Sequence, residues 1–129
     1  MLAEPILDTS VFVDLFKRRP AADEYIGTRL RSGRLLLHAA VAAELIAGVR
    51  DRVELREFDA LCDRAKKLYP TEADWVLALR LCRVHGRASG TDWVDCLVAA
   101  SAIRLGVAVA TINEKHFRPI RGLRVIRPY

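Results

Sequence analysis

Cysteine is scarce in this chain and poorly spaced for chemistry: of 129 residues only Cys62, Cys82 and Cys96 are cysteine, and no two form a CxxC pair. An odd number of thiols in helix-like surroundings points to buried free cysteines rather than disulfides or zinc ligands, and hence to a reducing, cytoplasmic setting. Histidine is equally thin, and His38, His85 and His116 fall in separate segments, which argues against a two-histidine acid–base mechanism and against a zinc site. No apolar run approaches the roughly 20 residues of a membrane span, so no membrane partner is expected. Met1-Leu2-Ala3-Glu4-Pro5 lacks the basic start and apolar core of a signal peptide. Repeats, low-complexity stretches and linkers are also missing. A chain of this length, 52% hydrophobic, can bury one core of ordinary size but not two, so residues 1–129 are expected to form a single domain.

Acid is the minority charge, 16 residues against 21 lysines and arginines, and the net +5 favours a polyanionic partner. Three of the acids nevertheless sit inside strongly apolar segments. Asp8 closes Pro5-Ile6-Leu7-Asp8, Glu44 interrupts Val41-Ala42-Ala43-Glu44-Leu45-Ile46-Ala47, and Asp95 precedes Cys96-Leu97-Val98-Ala99-Ala100. An ionised carboxylate taken out of water costs several kcal/mol, so such acids are paired, hydrogen-bonded, protonated or bound to a cation.

Apolar periodicity and punctuation predict short strands alternating with helices. Ile6-Leu7 is a buried strand, after which Thr9 and Ser10 can cap a helix through Val11 to Phe16. Ala21 to Leu30 is a helix ended by Gly33, Leu35-Leu36-Leu37 a second strand, and a helix carrying Glu44 ends near Gly48. Asp51 to Leu68 looks helical throughout, with Lys67-Leu68-Tyr69 as a possible brief strand. Thr71 and Asp74 resemble a capping box, opening a helix with Trp75, Val76, Leu79 and Cys82 on its apolar face. Arg87 to Gly90 is a loop and Thr91 a plausible cap for a buried helix from Asp92 to Leu105. Val107 to Ala110 and Leu123 to Ile126 are the last strands. This alternation argues for an α/β layer structure around a mainly parallel sheet.

In open parallel sheets ligands bind outside the carboxyl ends of the strands, where Asp8 and Asn113 both fall. Asp95, in the first turn of its helix, and Glu44, shortly after the second strand, can converge there. Two carboxylates 4 Å apart repel by about 4 kcal/mol at an effective dielectric near 20, which a shared cation reverses. Oxygen-only ligands suit Mg²⁺ or Mn²⁺ and disfavour zinc or copper. Such an ion acidifies a bound water and holds a phosphate oxygen beside it, which is what phosphodiester hydrolysis without a protein nucleophile requires.

Four segments, Ile6-Leu7-Asp8-Thr9-Ser10, Ala43 to Val49, Asp95 to Ala102, and Val109-Ala110-Thr111-Ile112-Asn113 with Phe117 following, together resemble the PIN domain and, within it, the VapC-like toxins of toxin–antitoxin pairs. The resemblance implies a three-layer αβα sandwich around a five-stranded parallel sheet. It implies a metal-dependent endoribonuclease acting on RNA through a metal-activated water, usually a homodimer and silenced by a VapB-like antitoxin. Carried over, Asp8 and Asp95 are the principal metal ligands, and Glu44 is a further ligand or orients the attacking water. Thr9, Ser10 and Thr111 position carboxylates or waters. The fourth acidic position falls on Asn113, which brings no charge; Asp92 and Glu114 are the candidates to compensate. The alternative is a catalytically weak PIN-like module that binds RNA or a partner without turnover.

Plainer roles compete at each position. Asp8 can be a helix cap, Glu44 a salt-bridge partner of Arg50, and Asp92 a first-turn acid favoured by the helix dipole. Trp75 has core or dimer-face spacing, while Trp93 and Phe117 could stack on bases. The arginine clusters, such as Arg80-Arg83-Arg87, are solvated faces by default. An aspartyl phosphatase would place a second acid two residues after Asp8, where Ser10 stands, and a receiver domain would pair an acid near its amino terminus.

Overall fold

The structure, a computed structural model, describes residues 3–86 and 90–129. Arg87 and most of the loop expected at Arg87 to Gly90 lie outside the described residues, as do Met1 and Leu2. Five strands, β1 (Ile6–Leu7), β2 (Leu36–His38), β3 (Lys66–Leu68), β4 (Val109–Ala110) and β5 (Val125–Ile126), form two parallel ladders, β1–β4–β5 and β2–β3, with β1 packed beside β2. Parallel pairing requires a crossover between partners, which the helices supply, giving the expected αβα arrangement. Register places the site. Leu7 is opposite Ala110, so Asp8 and Thr111 leave the sheet side by side, Asp8 N donating to Ala110 O at 2.9 Å.

The helices are α1 (Thr9–Phe16), α2 (Pro20–Arg31), α3 (Ala39–Ala47), α4 (Arg52–Arg64), α5 (Glu72–His85) and α6 (Trp93–Leu105). Thr71 and Asp74 make the expected reciprocal box at the start of α5, and Gly106 ends α6 at φ 68°, a left-handed conformation that glycine adopts without steric cost. The cap of α1 follows the capping role weighed for Asp8, and the cap of α6 lies one residue beyond Thr91. Asp8, not Thr9 or Ser10, is the N-cap of α1, and Asp92, not Thr91, is the N-cap of α6. At α6 the reason is reciprocity: Asp92 Oδ1 accepts from Asp95 N at 2.9 Å while Asp95 Oδ2 accepts from Asp92 N at 3.2 Å. Thr91 Oγ1 instead donates to His116 O at 2.7 Å.

Helix α4 is shorter than its pattern suggests. It stops at Arg64 because Ala65 turns extended and Lys66 N donates to Leu35 O at 2.8 Å, recruiting Lys66–Leu68 into the sheet. Phe58 and Leu61 are buried on its inner face, whereas Val53 and Leu55 are exposed. The core centres on α6, buried at every position from Val94 to Ala102, with Phe12, Leu37, Leu97 and Phe117 among the largest enclosed side chains. Full burial of such a side chain contributes about 1.5–3 kcal/mol. All three cysteines are free, and among the described residues no helix is long and apolar enough to cross a membrane.

One polar chain runs through this core. His38 Nδ1 caps α3 by accepting from Ala40 N at 3.0 Å, so its ring proton sits on Nε2, 3.0 Å from Ser101 Oγ. Ser101 Oγ donates to Asp74 Oδ2 at 2.7 Å, and Arg104 reaches both Asp74 oxygens at 2.7 and 3.0 Å. Burial lowers His38 to about 4, against the pull of Asp74. Burial alone would raise Asp74, but donors from Arg104, Thr71 and Ser101 outweigh it and hold the carboxyl at about 2. The chain ties α3, which carries Glu44, to α6, which carries Asp95.

Candidate active site

At the carboxyl ends of β1 and β4 lies an open cleft of about 420 Å³, lined by Asp8, Glu44, Asp92, Asp95 and Asn113, together with Thr9 and Ser10. The three sequence-selected acids therefore reach one cleft from three elements. Asp8 and Asp95 are buried to 4% and 7% exposure. Each carboxylate spends one oxygen on the scaffold. Asp8 Oδ2 accepts from Ser10 Oγ at 2.8 Å and Thr111 Oγ1 at 2.9 Å, and Glu44 Oε1 accepts from Thr9 Oγ1. Asp95 Oδ2 and Asp92 Oδ1 are held by the capping box. Among the described residues the second oxygen of each makes no hydrogen bond, which leaves Asp8 Oδ1, Glu44 Oε2 and Asp95 Oδ1 free for a ligand.

Thr111, fully buried, accepts from Asn113 N at 2.9 Å, and Ser10 Oγ accepts from Ile112 N at 3.1 Å. These hydroxyls pin the β4 exit against α1 and fix the orientation of Asp8. Glu44 is not paired with Arg50, whose guanidinium holds Glu54 at 2.6 Å. Glu114 is likewise turned away, paired to Arg118 at 2.6 Å. Asp92 both caps α6 and faces the cleft, so the two roles weighed for it coexist.

The charge is unbalanced. Burial, with Asp8, Asp92 and Glu44 nearby, pushes the Asp95 carboxyl up to about 8, and desolvation raises Glu44 despite the bond from Thr9. A cluster that cannot fully ionise by itself is the donor set a hard divalent cation would neutralise, and its oxygens fit Mg²⁺ or Mn²⁺. As the side chains stand, no three His, Cys, Asp or Glu among the described residues close on one point, so enclosing an ion requires rotamer adjustment.

Sequence reasoning missed three groups that line the cleft: Asp14, Lys17 and His116. For the first two a signal was present, since Ser10, Val13, Asp14 and Lys17 recur at i, i+3, i+4 and i+7 on one helical face. Asp14 is engaged by Tyr129 Oη at 2.8 Å and Arg19 at 3.2 Å. His116 Nδ1 lies 3.5 Å from Asp95 Oδ2. Phe117 is fully buried and unavailable for stacking, whereas Trp75 is exposed rather than in the core, stacked on Trp93 at 6.2 Å with rings 13° apart.

Comparison with known proteins places the chain in a family. Residues 6–123 match the PIN domain family. Ribonuclease VapC19 of Mycobacterium tuberculosis is 32% identical over 114 residues, covering 87% of this chain and 90% of that protein. The fold is similar to a chain of the DNA-bound VapBC complex of Salmonella typhimurium (TM-score 0.79, 20% identity, all of both chains). It is also similar to a chain of VapBC-1 from nontypeable Haemophilus influenzae (TM-score 0.72, 27% identity, 95% and 96% of the two chains). The chain belongs to the PIN-domain family and is of the VapC type.

Proposed function

We propose that the protein is a Mg²⁺- or Mn²⁺-dependent endoribonuclease and the toxin of a toxin–antitoxin pair, working in the cytoplasm. One observation carries the reading: in a chain of net charge +5, Asp8, Glu44 and Asp95 come from separate elements to a single cleft at the strand ends. Kinship with a protein named as a ribonuclease supports it. Asp8 and Asp95, each with one oxygen fixed and one free, would hold the ion, with Glu44 as a further ligand or as the group orienting water. Bound there, a divalent ion supplies positive charge against the scissile phosphate and an acidified water. Ser10 and Thr111 keep Asp8 in place, and Thr9 does the same for Glu44. Asp92 and Asn113 line the same cleft. The leaving group is a 3′-hydroxyl, as the family relation implies.

The neutral Asn113 favours the second reading, a PIN-like module that binds RNA or a partner without turnover. Calorimetric titration with Mn²⁺ separates the two. The nuclease binds the ion and loses it when Asp8 becomes Asn; tight RNA binding with no Mn²⁺ heat supports the module.

For partners, an apolar groove of about 410 Å³ between α1 and α3, with Val13, Phe16, Leu45 and Val49 in its walls, opens into the acidic cleft through Thr9, Lys17 and Glu44. It suits an apolar antitoxin segment that delivers a basic side chain to the carboxylates, and the VapBC complexes among its structural relatives support a VapB-like partner. Val49→Arg is expected to weaken co-purification with that partner at least about tenfold while Mn²⁺ binding is unchanged. The exposed Trp75, Val76 and Leu79 on α5 supply an apolar face for a homodimer.

A further inference from the structure

We infer that His116 is a nitrogen ligand at the same cation site, a neutral donor beside the neutral Asn113; this rests on the metal reading above. The Nδ1 of His116 faces Asp95 Oδ2 at 3.5 Å without a hydrogen bond between them. Two donors about 2.1 Å from one octahedral ion, at right angles, stand about 3 Å apart. Since Asp95 Oδ2 also accepts from Asp92 N, a turn of the carboxyl that brings the free Oδ1 toward Nδ1 lets the two share one ion. The ring lines the cleft with Asp8, Glu44 and Asp95, its side chain 27% exposed. Asn113, by contrast, makes no side-chain hydrogen bond among the described residues, and only its backbone is engaged.

The imidazole is delivered by a pinned turn. His116 closes the single 3-10 turn Glu114–His116, its N donating to Asn113 O at 3.0 Å and its O accepting from Thr91 Oγ1 at 2.7 Å. The next residue, Phe117, is fully buried and anchors the turn to the core. Thr91 immediately precedes the cap of α6, so one hydrogen bond fixes His116 relative to the helix that bears Asp95. An imidazole among carboxylates shifts preference toward Mn²⁺, since Mg²⁺ keeps to oxygen ligands and gives up its waters reluctantly.

The test uses the full chain with Mn²⁺ or Mg²⁺ alone as ligand. Electron spin echo measurements on bound Mn²⁺ are expected to show nitrogen hyperfine coupling in the wild type and none in His116→Gln. By calorimetry His116→Gln should lose about tenfold or more in Mn²⁺ affinity but less than about threefold in Mg²⁺ affinity. The nearly unchanged Mg²⁺ affinity of His116→Gln guards against a merely misfolded variant, and His116→Asp, which puts a charged oxygen ligand in place of the nitrogen, should bind Mg²⁺ more tightly than the wild type and show no nitrogen coupling. Mn²⁺ bound by the wild type and lost in Asp8→Asn, yet without nitrogen coupling or with unchanged affinity in His116→Gln, overturns the role of His116 and leaves the metal reading standing. A wild type that binds no Mn²⁺ overturns both.

Discussion

Asp95→Asn is expected to lower RNA cleavage at least about a hundredfold and, at pH 8 without metal, to make the protein more stable. The activity falls because a ligand is lost. The stability rises because the folded carboxyl, with a pKa of about 8, holds a proton that the unfolded chain releases near its ordinary 3.8. Between those values the folded state binds more protons than the unfolded state, so stability declines as pH climbs through the window. Asparagine carries no such penalty and still offers an oxygen to Asp92 N. Allowing for the water that reaches the cleft, the gain at pH 8 is about 2 kcal/mol, vanishing below about pH 4. Thermal melts in chelator at both pH values check it: equal melting temperatures for wild type and variant at pH 8 would contradict the charge imbalance. Mn²⁺ should raise the melting temperature of the wild type and have little effect on the variant.

The largest loss of stability is expected far from the cleft, at Asp74. Replacing it by Ala removes the acceptor for Arg104, Ser101 and Thr71 N together; the exposed Arg104 head returns to water, but the Ser101 hydroxyl is left in the core without its acceptor. Losing the acceptor of a buried hydroxyl and a helix cap points to about 2–3 kcal/mol, read as a lower urea midpoint with the slope unchanged. Asp74→Asn, which keeps an acceptor at the cap, should cost less. The pH dependence has a definite sign. The folded pKa of Asp74 is depressed to about 2, so its contribution is complete above 3.8 and lost as pH falls through 2. His38, lowered to about 4, is neutral when folded, so stability falls as pH drops from 6.5 through 4, where the unfolded chain takes up the proton. Acid thus weakens the junction of α3, α5 and α6 while alkali penalises Asp95; the opposing slopes of His38 and Asp95 offset each other between about 4 and 6.5, so the metal-free protein should be most stable there and decline above about pH 6.5.

Legibility in the sequence followed the range of the interactions. The carboxyl ends of β1, β4 and β5, the Thr71-Asp74 box and the stops at Gly48 and Gly106 are local and stand where the pattern puts them, while β2 and β3 end one residue away, at His38 and Leu68. Asp8, Glu44 and Asp95 could be singled out because an acid within an apolar run is conspicuous in one dimension. The misses are of another kind. Helix α4 yields to strand β3 through a bond to Leu35, some thirty residues away, and no local propensity encodes that bond. His38, Ser101, Asp74 and Arg104 are unremarkable singly and become a chain only when three helices pack. His116 is isolated from the other histidines in sequence, and only the turn at Glu114–His116 brings it against Asp95. Asp92 is the exception, since the Asp-x-x-Asp spacing was there to read and Thr91 drew attention one residue early.

The central claim is that the acidic cleft holds a divalent ion to cut RNA. It is tested most directly by following cleavage of a single-stranded RNA by purified wild type and Asp8→Asn, with Mn²⁺ and with chelator. The account predicts cleavage by the wild type in Mn²⁺, abolished by chelator and restored by excess Mn²⁺, and none by the variant under either condition. Equal cleavage in all four reactions would contradict it.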